Sequence, residues 1–185
     1  NNNRIADGKN DFMKGAYLGP EFTNSSIESF LKKNKYSFQI LKDKELSEKI
    51  ADLIASENVI GWFQGRMEFG PRALGSRTII GDARSSRMQK IMNLKIKYRE
   101  SFRPFAPSIR EENISDYFEI DRASPYMLLV AYVQKDKQIK ISNEQDSYLG
   151  LAKLNVVRSE IPAITHVDYS ARIQSVNKKT ILSTT

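Results

Sequence analysis

The chain has no cysteine among its 185 residues, so disulfide frameworks, thiolate metal sites and thiol nucleophiles are all excluded. Histidine is nearly as scarce. His166 is the only one, and one imidazole with a neighbouring carboxylate falls short of the three or four ligands that a zinc site needs. Long apolar runs are missing too: MLLVAYV at 127–133 is far below the roughly 20 residues that cross a bilayer. The first residues carry no charged-then-apolar secretion pattern. These absences set the expectation of a cytoplasmic protein with no membrane partner and no metal held by the protein itself. Internal repeats and low-complexity segments are also absent, which sets aside solenoids and compositionally biased tracts.

What is present suits a folded domain. Hydrophobic residues make up 40% of the chain and charged residues 28%, and nine Phe, eight Tyr and one Trp supply large core side chains. The length fits one domain with a core of its own. The net charge is +7, but it is unevenly placed. Between Arg66 and Arg110 eleven basic residues face only Glu68, Asp82 and Glu100, so the whole positive excess sits in one quarter of the chain. Such clustering points to a pocket for an anionic phosphate ligand rather than to a uniformly basic surface.

Periodicity divides the chain into short elements. The capping-box spacing at 25–28 opens a helix toward Lys33, and 36–41 reads as a strand. Leu46, Ile50, Leu53 and Ile54 fall at helical spacing over 45–56. Segments 59–63 and 78–80 read as buried strands, and 85–94 as a helix with Met88, Ile91 and Met92 on one face. A strand over 126–133 precedes a polar hairpin or surface loop at 134–145, and 161–167 and 171–176 read as two final strands. Mixed short helices and strands indicate an α/β or α+β sheet flanked by helices.

Three constellations carry chemistry. The first, GRMEFGPRALGSR at 65–77, comes directly after a predicted strand. Its glycines allow sharp turns and close approach to a ligand, and a helical turn begun by Pro71 would offer its amides to an anion alongside Arg72 and Arg77. A solvated turn with surface arginines accounts for the same residues. The second, KIKYRESFRPFAPS at 95–108, would project Lys95, Lys97 and Arg99 to one face if extended. Pro104 and Pro107 stiffen the backbone beside Arg103. A basic edge strand is the plainer reading. In the third, His166 and Asp168 with Arg172 close behind form either an acid/base pair or a hydrogen-bond clamp, or a structural turn.

The runs GWFQGRMEFGPRALGSRTIIGDAR, NLKIKYRESFRPFAPSI and IPAITHVDYSARIQSV, with AYLGP at 16–20, together resemble the C-terminal domain of the carbamoyltransferases that decorate antibiotics and nodulation factors. The resemblance implies a YrdC-like fold, a twisted open mixed sheet flanked by helices, over 21–177. It implies that 1–20 is a junction to a missing N-terminal Kae1-like domain and that 178–185 is a truncated tail. It implies binding of ATP, with Mg²⁺, and of carbamoyl phosphate, which are joined as carbamoyl-adenylate before the absent domain passes the carbamoyl group to a hydroxyl acceptor. The first residue, Asn1, agrees with a fragment. Carried over by position, the resemblance makes Lys97, Arg103, His166 and Asp168 catalytic, and Arg72, Arg77, Lys97, Arg103, Ser108 and Arg172 nucleotide-binding. Glu68 is expected to orient an arginine rather than act as a base. Tyr169 stands where the family commonly has glycine. The competing expectation from charge and aromatics is an RNA-binding module built on the basic face, with Tyr98, Phe102 and Phe105 as stacking surfaces.

Overall fold

A computed structural model describes residue 11 and residues 13–177 of the chain. The expected tail at 178–185, and residues 1–10 and 12 of the expected junction at 1–20, lie outside the described residues. In chain order the elements are α1 (Asn24–Lys33), α2 (Asp43–Ala55), β1 (Ile60–Phe63), β2 (Arg77–Ile80), α3 (Met88–Ile91), β3 (Ser108–Arg110), α4 (Ile114–Tyr117), β4 (Leu129–Tyr132), α5 (Asn143–Asp146), α6 (Gly150–Leu154) and β5 (Ser170–Val176).

The strands form two sheets rather than the single one expected. β1 and β2 pair antiparallel, with Ile60 opposite Ile80 and Phe63 opposite Arg77, so the glycine-rich segment is the loop of this hairpin. The second sheet is mixed, in the order β3-β5-β4. β5 runs parallel to β3, with Ser108 opposite Gln174, and antiparallel to β4, with Val130 opposite Arg172. Helices together with open, mixed sheets make this an α/β fold.

Strand alternation gives β5 two distinct faces. Ala171 and Ile173 are fully buried and pack with Phe118, Val133, Ala131, Ile161, Ile164, Met88 and Met92 in the main core. Arg172 and Gln174 therefore point the other way. α2 turns Leu46, Ile50, Leu53 and Ile54 to a half-buried face and packs on β1. α1 begins at Thr23, whose hydroxyl accepts from the Ser26 amide at 3.2 Å, two residues before the predicted cap.

Two predicted strands are absent. Segment 36–41 has no strand hydrogen bonds. Segment 161–167 is a set of turns: Pro162 has no N–H to give a ladder, and the amide of Ile164 folds back to the carbonyl of Ile161 at 3.3 Å.

Candidate functional site

The glycine-rich loop is organised around Glu68. No helical turn is formed after Pro71. The segment is a run of bends in which Gly70 and Gly75 adopt φ of 115° and 116°, values that side-chain-bearing residues rarely reach. Its amides converge on Glu68, which is 3% exposed. One Glu68 oxygen accepts from the backbone amides of Leu74 at 2.7 Å, Ser76 at 2.6 Å and Arg77 at 3.1 Å. The other accepts from Arg77 Nε at 3.0 Å, and an Arg77 Nη donates to the Glu68 carbonyl at 2.8 Å. Burial pushes the Glu68 carboxyl up, but hydrogen bonds from its own backbone, Arg77 and Leu74 outweigh it and hold the group below its ordinary value. The expected pairing of Glu68 with an arginine is thus realised with Arg77, which is turned into the loop.

Arg72 stands at the tip of the same loop and is exposed. It comes within electrostatic reach of Arg172 on β5: burial and the nearby Arg72 charge both press the Arg172 guanidinium below its ordinary value. Among the described residues neither arginine side chain has a hydrogen-bond partner or an ion pair. Gln174 fixes this approach. It is 3% exposed, donates through Nε2 to the Leu74 carbonyl at 2.6 Å and accepts from Ser108 Oγ at 2.9 Å. One amide side chain therefore ties the first motif, the second and β5 together. Beside it lies a cavity of about 310 Å³ whose lining includes Gln64, Leu74, Gly75, Phe105, Ser108 and Gln174.

The second motif is not extended. Residues Met92–Ile96 form a π-helical turn closed by the Lys97 amide on the Met92 carbonyl at 2.9 Å, so Lys95, Lys97 and Arg99 do not share a strand face. Asn93, fully buried, organises the loop beyond this turn. Its Nδ2 donates to the carbonyls of Ser101 at 3.0 Å and Arg103 at 2.7 Å, and its Oδ1 accepts from Arg99 Nε at 2.6 Å. Arg99 stacks on Phe105 with its guanidinium carbon 4.8 Å from the ring centre. Desolvation and the neighbouring Arg103 lower its pKa. Lys97 is exposed and unpaired among the described residues, while Arg103 makes only a long, exposed contact to Glu100 at 3.8 Å.

His166 and Asp168 belong to the turn that feeds β5. The Asp168 carboxylate accepts from the Ser170 amide at 3.0 Å, and the His166 amide donates to the Ser170 carbonyl at 2.9 Å. Burial raises the Asp168 carboxyl, but hydrogen bonding from Ser170 and the nearby His166 bring it below the ordinary value. Tyr169 takes φ of 65° at the apex, the left-handed conformation that glycine adopts without strain. Of the predicted residues, Ser108 lines the cavity, Arg72 and Arg172 come within electrostatic reach of each other, and His166 and Asp168 share a turn. Lys97 and Arg103 reach the cavity only through the 104–108 backbone that links them to Ser108.

Sequence reasoning missed Gln174, Asn93 and the bracing role of 16–20. The amide of Gly19 donates to the Met67 carbonyl at 2.9 Å, the amide of Phe69 to the Ala16 carbonyl at 2.7 Å, and the Tyr17 hydroxyl to the Leu74 carbonyl at 2.8 Å. A Cβ at Gly19 would sit 2.9 Å from the Met67 carbonyl oxygen, so glycine is required for this contact. The available signal was the pair of small residues in AYLGP. Polar residues at otherwise apolar strand and helix positions were the signal for Gln174 and Asn93.

Open sheets, a glycine-looped hairpin and flanking helices describe an α/β domain. The chain belongs to the carbamoyltransferase C-terminal family: the family model described as "Carbamoyltransferase C-terminus" matches residues 51–183. It is 56% identical over 174 residues to an uncharacterised protein of Synechocystis sp., covering 93% of this chain and 28% of that protein. It is 40% identical over 173 residues to nodulation protein NolO of Bradyrhizobium diazoefficiens, covering 91% and 28%. It is 34% identical over 127 residues to a 3'-hydroxymethylcephem-O-carbamoyltransferase of Streptomyces clavuligerus, covering 69% and 20%. The chain thus spans under a third of the length of these curated relatives.

Proposed function

We propose that this chain is the part of a cytoplasmic carbamoyltransferase that binds ATP and carbamoyl phosphate and forms carbamoyl-adenylate. The observation that carries the reading is the unpaired Arg72–Arg172 pair, with Arg172 two residues from Gln174 on the same face of β5. Two guanidinium groups kept close without a carboxylate are unfavourable unless an anion joins them, and fork-shaped donors suit phosphate oxygens. Among the described residues no helix is long and apolar enough to cross a membrane.

The reaction divides into three balanced steps. Water cleaves carbamoyl phosphate, releasing inorganic phosphate and leaving carbamate. A carbamate oxygen attacks the α-phosphorus of ATP, the α–β bridging bond breaks, and pyrophosphate departs. The Kae1-like domain of the full-length protein then transfers the carbamoyl group to an acceptor hydroxyl, and AMP leaves. In this scheme Arg72 and Arg172 bind the triphosphate with help from the Ser108 hydroxyl, while Lys97 and Arg103 neutralise charge that develops on the phosphoryl oxygens. Arg77 acts by shaping the loop through Glu68. His166, oriented in its turn and beside the Asp168 charge, handles the proton of the attacking water. Among the described residues no three His, Asp or Glu side chains cluster in a way that could hold a metal, and Glu68 is saturated by amides. Mg²⁺ therefore fits here as a companion of the triphosphate, held by phosphate oxygens and water.

Calorimetric titration of the chain with MgATP, together with carbamoyl-phosphate-dependent ATP–pyrophosphate exchange in the full-length protein, tests this. The expected results are saturable ATP binding, at least tenfold weaker in Arg72→Ala, and exchange reduced about 100-fold in Arg103→Ala. A folded wild-type chain that binds neither ligand would overturn the reading. The RNA-binding alternative predicts a steep salt dependence with long polyanions. It is weakened because Arg66, Arg77, Arg84, Arg87, Arg103 and Arg110 all stand in ion pairs.

A further inference from the structure

Arg158 lies outside everything assigned so far, and it is 3% exposed. Its two terminal nitrogens donate to the carbonyls of Val156 at 2.8 Å and Lys153 at 2.5 Å. Its Nε is buried with no hydrogen-bond partner, and no carboxylate among the described residues pairs with it. A guanidinium stays protonated in proteins, so this is a buried charge compensated only by carbonyl dipoles. Buried charges are ordinarily paired, because leaving one uncompensated costs several kcal/mol.

Arg158 is among the residues lining a cavity of about 130 Å³, whose wall also includes Gln89, Phe102, Thr165, His166 and Val167 and no acidic side chain. Neither Arg72, Ser108 nor Arg172 lines it. Gln89 Nε2 makes only long contacts there, at 3.4 Å to the Phe102 carbonyl and 3.3 Å to that of Arg103. The His166 ring has no hydrogen-bond partner among the described residues. Two donors and one unpaired cation thus surround a space well below the roughly 300 Å³ at which ordinary ligand pockets begin.

We propose that this cavity is a second anion site, specific for a small oxyanion of phosphate size, with Arg158 as its charge and Gln89 and His166 as supporting donors. It goes beyond the adenylation reading and touches it only at His166. The oxyanion has two sources, free inorganic phosphate or the phosphoryl end of carbamoyl phosphate, and the recognising chemistry is the same for both.

Inorganic phosphate is titrated calorimetrically against the Arg72→Ala chain, in which the exposed arginine pair is broken. One saturable site is expected. Val167 is 41% exposed and lines the cavity, so Val167→Glu brings a competing carboxylate to it from a surface position that spares the fold. Phosphate affinity should fall at least tenfold in that background, and Arg158→Gln should abolish binding. Displacement of phosphate by carbamoyl phosphate assigns the site to the substrate's phosphoryl end, and lack of displacement assigns it to free phosphate. No saturable binding to the parent, or affinity within twofold of the parent in folded Val167→Glu, overturns the proposal. Phosphate binding to the Arg72→Ala chain together with no ATP binding to the wild-type chain overturns the adenylation reading and leaves this site standing. The reverse pattern overturns this site alone.

Discussion

Glu68 shows how a single carboxylate determines the form of a ligand loop. It occupies the amide-lined concavity that an anionic ligand would otherwise fill, and it leaves Arg72 as the outward-facing charge. Its pKa is held below the ordinary 4.5, so the unfolded chain binds this proton more tightly than the folded one. The stabilisation is therefore fully present above the unfolded-state value and is lost as pH falls through the folded-state value. Glu68→Gln keeps an oxygen for the amides but loses the charge-assisted bond to Arg77. Such bonds are worth roughly 1.5–3 kcal/mol, and Arg77 is 35% exposed, which screens part of the interaction. Urea unfolding should show Glu68→Gln less stable by about 2 kcal/mol at neutral pH, with the gap narrowing below pH 4.5. A gap that does not change with pH would show that the charge on Glu68 is not what holds the loop. At this scale the sequence was readable where residue type and neighbours sufficed. Glu68 beside several arginines, and a tyrosine at an expected glycine position, were visible in the chain, and Tyr169 indeed takes a left-handed φ of 65°.

At the scale of elements, short helices proved harder to read than strands. Apolar spacing correctly placed Met88 and Met92 in the core, at 1% and 5% exposed. It could not show that the helix widens into a π turn, because that turn is closed by a backbone bond from the Lys97 amide to the Met92 carbonyl, which leaves no mark in the apolar pattern. Asn93 also fixes the backbone at Ser101 and Arg103. Asn93→Ala removes two donations and one acceptance at a fully buried position, leaving the Ser101 carbonyl without its side-chain donor and the Arg103 carbonyl with only the long Gln89 contact. A loss of about 3 kcal/mol is expected, together with faster amide hydrogen exchange across 97–103 than in the rest of the domain. Exchange that rises uniformly over the chain would mean that Asn93 supports global packing and not this loop. The strand misread at 161–167 has the same origin: apolar residues predicted burial, and Ile161, Ala163 and Ile164 are buried, but Pro162 fixes the backbone in turns.

For the molecule as a whole, charge density along the chain overstated the basic surface available to a ligand. Glu21 and Glu57 lie outside the basic window, yet they reach Arg66 and Arg87 in space, a pairing that linear sequence does not encode. Among the cations left without an ion pair, two come within electrostatic reach of each other, Arg172 from β5 and Arg72 from a loop far earlier in the chain. Their repulsion is uncompensated without a ligand, which is the usual relation between a binding site and stability. At low salt and without added anions, Arg72→Ala should therefore melt at or slightly above the wild-type temperature. Inorganic tripolyphosphate should reverse that order. A ligand at 100 times its Kd adds about 2.7 kcal/mol, roughly 5–10 °C for a domain of this size, and Arg72→Ala should gain little of it. Equal shifts in the two proteins would remove the Arg72–Arg172 pair as the polyphosphate site, whereas a shift confined to the wild type would place the triphosphate between the hairpin loop and β5.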